Sequence, residues 1–64
     1  MNGVEKIIQV LKDAGYIRGY KLDMHTFNLL LELYMENTGK KKDEAIKDVM
    51  SELYKLGYFV ADGA

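Results

Sequence analysis

Apolar positions recur through this chain with a helical period in three places and with a strand-like pattern in two. From Val4 to Ala14, the residues Val4, Ile7, Ile8, Val10, Leu11 and Ala14 fall within one half of a helical wheel, and Glu5, Lys6, Gln9, Lys12 and Asp13 fill the other. The pattern predicts a one-faced helix that stops at Gly15, where a left-handed C-cap is expected. Aromatic and branched residues then run from Tyr16 to Leu22 and predict a short strand. Asp23 is placed to cap a second helix, and apolar residues continue through Phe27, Leu29, Leu30, Leu31, Leu33, Tyr34 and Met35 to a stop at Asn37, Thr38 and Gly39. After three lysines, Asp43 is the expected cap of a third helix that carries Ala45, Ile46, Val49, Met50, Leu53, Tyr54 and Leu56 and ends at Gly57. A second strand is expected over Tyr58 to Ala61. The fold class that follows is mostly α, three helices and two short strands in the order α-β-α-α-β, in a single domain spanning 1–64.

The second helix departs from a one-faced pattern. Its only consistently polar sector holds His25, Asn28, Glu32 and Glu36, so its apolar residues spread over roughly 240° of the wheel. Leu29 and Leu33 edge one side of that arc, and Leu31 and Met35 edge the other. A helix of this kind is buried on more than one side, which places one of these edges at an expected intermolecular contact. Size strengthens the expectation, because a chain this short buries only about 60% of its unfolded surface. There is no cysteine for a disulfide, and one histidine cannot build a zinc site, so self-association or tight packing must make up the difference.

An internal echo runs between the ends of the chain: Leu11, Ala14, Gly15, Tyr16 and Ile17 match Leu53, Leu56, Gly57, Tyr58 and Phe59. Two amphipathic helices that each end in a glycine cap account for it without a duplication.

The formal net charge is −1, which gives no global attraction to nucleic acid or to an anionic membrane. No apolar run approaches the length of about 20 residues that a membrane span needs, and the N-terminus is neither a secretory signal nor a myristoylation site; a cytoplasmic location is the expectation. Catalytic chemistry finds little to build on. Thr26 and Thr38 sit where helix-end hydrogen bonds are needed, and Ser51 has no histidine in its sequence context to activate it. Glu32 and Glu36 lie one turn apart, but His25 is about 10 Å along the axis from Glu32, so the three read as a solvated face. Thr38-Gly39-Lys40-Lys41 lacks both the earlier glycine and the following Ser or Thr of a phosphate loop. The expectation is therefore no enzyme, no metal, no cofactor and no small-molecule substrate. Lys40, Lys41 and Lys42 are different: they immediately precede the third helix, whose N-terminus also favours anions, and together they could seat a phosphate.

Residues Gly19 to Leu56 resemble the ribbon-helix-helix DNA-binding family. Tyr20-Lys21-Leu22-Asp23 stands at the end of a strand before a capped helix, and Gly39-Lys40-Lys41-Lys42-Asp43-Glu44-Ala45-Ile46-Lys47 looks like the family's Gly-Lys-Ser-Arg-Ser-Glu-Ala-Ile-Arg opening of its second helix. The resemblance implies an obligate homodimer whose paired strands enter the major groove of duplex DNA while the second helix's N-terminus meets a phosphate. Lys40, Lys41 and Lys42 would then be phosphate contacts, and Arg18 and Lys21 groove contacts. Strand alternation that turns Tyr20 and Leu22 inward turns Ile17, Gly19 and Lys21 outward. The order α-β-α-α-β and the ending Leu53-Tyr54-Lys55-Leu56-Gly57-Tyr58-Phe59 also look like a winged-helix recognition helix running into a wing. Both resemblances imply a small dimeric transcriptional regulator. The other reading of the same residues is a protein-binding module, a small inhibitor or adaptor, that uses apolar surface from the second helix or exposed tyrosines among Tyr16, Tyr20, Tyr34, Tyr54 and Tyr58 and ignores DNA.

Overall fold

Local cap chemistry sets the boundaries of the elements. The structure is a computed structural model that describes residues 3–61, and its order is α1 (Gly3–Asp13), β1 (Lys21–Asp23), α2 (Met24–Thr38), α3 (Lys42–Leu56) and β2 (Phe59–Ala61). The expected fold class is the observed one. At the end of α1, the Gly15 amide donates to the Lys12 carbonyl and the Tyr16 amide to that of Leu11. At the end of α3, Gly57 donates to Tyr54 and Tyr58 to Leu53 in the same way. Both glycines have a positive φ, 87° and 85°. The sequence echo is therefore one cap motif used twice, a Schellman turn that satisfies the last carbonyls of each helix.

Asp23 caps α2 as expected, its Oδ1 accepting from the Thr26 amide at 2.7 Å, and Gly39 closes the helix in the left-handed region. The start of α3 differs from expectation. The Ala45 amide bonds to the Lys41 carbonyl, so Lys41 is the N-cap and Asp43 lies inside the first turn. There its carboxylate, with that of Glu44, meets the positive end of the helix dipole instead of capping it.

The expected strand over Tyr16 to Leu22 is mostly a turn. Gly19, at φ 66°, reverses the chain so that Arg18 bridges back to Lys21, and only Lys21–Asp23 is extended. With the strand broken, its alternation no longer holds: Ile17 is buried and Tyr20 is exposed. β1 pairs in parallel with β2, with Leu22 opposite Val60. The ribbon-helix-helix resemblance would pair this strand with a second copy; here its partner is β2 of the same chain.

One core serves all three helices. Val4, Ile7, Ile8 and Leu11 come from α1, Phe27, Leu30, Leu31 and Tyr34 from α2, and Ala45, Val49 and Leu53 from α3, with Ile17 and Leu22 closing the strand end. Val10, on the rim of the α1 apolar arc, remains 59% exposed. The polar sector of α2 faces solvent as expected, and its two edges are largely covered within the chain. Leu31, expected at an interface, is 4% exposed and belongs to the core, while Leu29, Leu33 and Met35 are half-buried against it. Contacts with α1, α3 and the sheet absorb the apolar excess of α2, because α1 and α3 both pack against it. No helix among the described residues is long and apolar enough to cross a membrane.

Candidate functional site

The five basic residues singled out in the sequence occupy two separate places. Arg18 and Lys21 flank the turn at the strand end of the molecule, both exposed. Lys40, Lys41 and Lys42 lie beyond the far end of α2, whose 15 residues span about 22 Å. The two groups do not share one patch.

Lys40 is engaged. Its Nζ lies 2.5 Å from Asp48 Oδ2, and the Tyr34 hydroxyl donates to the same oxygen at 2.7 Å. The Thr38 hydroxyl donates to the Tyr34 carbonyl at 2.8 Å and accepts from the Lys40 amide, so the turn between α2 and α3 is tied at both its backbone and its side chains. The Lys40 ammonium and the Tyr34 phenol hold the Asp48 carboxyl below its ordinary range. Asp48 in return raises both Tyr34 and Lys40. This network borders a cleft of about 420 Å³ reached by Gly3, Ser51 and Lys55. A lysine already neutralised by an aspartate is a poor phosphate contact, which leaves Lys41 and Lys42, both exposed, beside Asp43 and Glu44.

A second cluster lies at the strand end. The rings of Tyr20 and Tyr58 are 5.1 Å apart, and Lys12 Nζ lies 5.6 and 5.2 Å from their centroids. Hydrogen bonding with Tyr58 and the field of both phenols raise the Lys12 ammonium above its ordinary value. Two segments that follow glycine turns are thus fastened to the end of α1 by a cation over aromatic faces.

A cluster of exposed apolar side chains lies on α3 and β2 rather than on α2. Met50 is 45% exposed, Tyr54 86% and Phe59 57%. They share a shallow groove of about 260 Å³ with Leu53, Tyr58 and Val60. The sequence contained a signal for it: Met50 and Tyr54, one turn apart, extend the apolar arc of α3 beyond Ala45, Val49 and Leu53, which alone fill its core face. A second apolar recess, of about 300 Å³, involves Leu33 of the expected interface set, with Ile7 and Val10 of α1.

His25, Glu32 and Glu36 are exposed, and the described residues contain no group of three or more His, Cys, Asp or Glu side chains arranged to hold a metal ion. Comparison with family models, curated proteins and solved structures gives no match. The functional reading therefore rests on the surface alone.

Proposed function

We propose that this chain is a non-catalytic protein-interaction module that presents the α3–β2 surface to a partner protein. The observation that carries this reading is the grouping of Met50, Tyr54 and Phe59 around one groove on adjoining elements; Val10, Tyr16, Tyr20 and Met24 are also exposed, but none of them lines it. Contiguous exposed apolar surface marks interaction sites, and tyrosine is favoured where binding energy concentrates. A photo-cross-linking residue at position 54 should trap one stoichiometric protein in cells, and the same residue at position 25 should not. Equal trapping of many proteins at both positions would sink the reading.

A second reading, a dimeric DNA-contacting regulator, draws on Lys41 and Lys42, which stand exposed at the start of a helix that has no side-chain cap. Phosphate-driven binding is strongest at low salt, so a fluorescence titration against mixed duplexes there decides it: no binding removes this reading.

A further inference from the structure

We infer that the open edge of β2 is a vacant strand position that accepts an extended apolar peptide segment of a partner protein. This deepens the interaction reading above and rests on it.

The hydrogen-bond register identifies the edge. In a parallel ladder, alternate residues direct both backbone groups to the neighbouring strand. The Phe59 amide donates to the Tyr20 carbonyl at 2.9 Å, and Phe59 stands opposite Lys21, so Phe59 and Ala61 face β1. The N–H and C=O of Val60 then point away from it. The far edge of β1 is occupied in part, because Arg18 bridges to Lys21 there. Among the described residues no strand or bridge pairs with the outer edge of β2, and an unpaired strand edge is a template for another extended chain.

The groove beside that edge suits a strand. One wall is β2 and the other is α3, with Met50, Leu53 and Tyr54 turned toward it. Both existing strands pack on α2. Strands lie about 4.8 Å apart and helices about 10 Å, so one helix underlies about two strands, and the next strand position falls beside α3. An extended segment there would pair with Val60 and set alternate apolar side chains against Met50 and Tyr54.

Two considerations select a peptide over a second copy of this chain. A copy that offered its own β2 edge would bring its own α2 into the space α3 already fills. The exposed parts of Met50, Tyr54 and Phe59 amount to about 400 Å², roughly half of the ~800 Å² that each partner of a stable complex buries. That area matches a strand of four or five residues.

The test begins with a phage-displayed library of seven-residue peptides panned on the intact protein, followed by titration of the selected peptide. The expected peptide alternates apolar with other residues, and its binding slows hydrogen exchange at the Val60 amide. Val60→Pro removes an N–H that points away from β1, and Met50→Asp places a charge in the groove; each should weaken binding at least about tenfold while circular dichroism stays native. Unchanged affinity in both variants would place the peptide site elsewhere and overturn the inference, with the interaction reading intact. Failure to select any peptide would also overturn it, and the cross-linking at position 54 would then judge the broader reading alone. A dimer seen by light scattering and lost in Val60→Pro would assign the edge to a second copy and overturn the choice of occupant.

Discussion

Tyr34 on α2 donates a 2.7 Å hydrogen bond to Asp48 on α3, and the acceptor is the oxygen that Lys40 also binds. The phenol ring is buried in the core while its hydroxyl reaches this half-exposed carboxylate. Tyr34→Phe should keep the ring packing and lose the bond, lowering unfolding free energy by about 1 kcal/mol in a denaturant titration. An unchanged midpoint would show that the bond contributes nothing to holding α2 against α3.

The same network sets the expected pH dependence. Asp48 and Asp23 are held below the ordinary carboxylate value, Asp23 chiefly by the Thr26 amide. Each therefore stabilises the fold above that value, about 4, and loses its contribution as pH falls through it toward the lower folded value. Lys40, Lys12 and Tyr34 are raised, so their contribution is complete below their ordinary values, near 10, and is lost as pH rises through the higher folded ones. Thermal midpoints should be flat between these limits and fall on both sides. Asp48→Asn should shrink the acid limb, and a variant that keeps it unchanged would remove Asp48 from the account.

Gly15 and Gly57 provide a matched pair. Both have positive φ, and a Cβ added at either would meet nothing within 4 Å. The cost of alanine is then backbone strain alone, about 1 kcal/mol at each site. Nearly equal shifts of the denaturation midpoint in Gly15→Ala and Gly57→Ala are expected; a large difference would mean that one cap is not the turn described.

Leu31 and Tyr54 separate core from surface. Leu31→Ala should cost about 2–5 kcal/mol, enough to unfold most of a domain this small. Tyr54→Ala should stay within about 0.5 kcal/mol of the parent, as substitutions at exposed positions do. Circular dichroism on the two variants checks both, and a stable Leu31→Ala protein would return Leu31 to the surface.

Much of the fold could be read from the sequence because it depends on neighbours in the chain. Asp23, Gly15, Gly39 and Gly57 act within one turn of themselves, and the helical periods of α1 and α3 follow from spacing alone. What could not be read depends on residues far apart. The pairing of Leu22 with Val60 joins positions separated by two helices, and the cover over Leu31 comes from elements whose packing no local pattern specifies. Leu31 of the expected interface on α2 went into the core for that reason, while Leu29, Leu33 and Met35 stay half-buried at its edges. Lys40 looked free for a phosphate because Asp48 lies eight residues further on, within α3. The exposed groove was half-legible, since Met50 and Tyr54 share a stripe, but the contribution of Phe59 required knowing where β2 runs.

The parallel pairing of β1 with β2 has a kinetic consequence. The strands meet only when the chain between them has turned back on itself, which makes their pairing a non-local contact of the kind that slows folding. The groove beside Val60 exists only where this long-range contact is made, so a change that delays the pairing of Leu22 with Val60 also delays the groove.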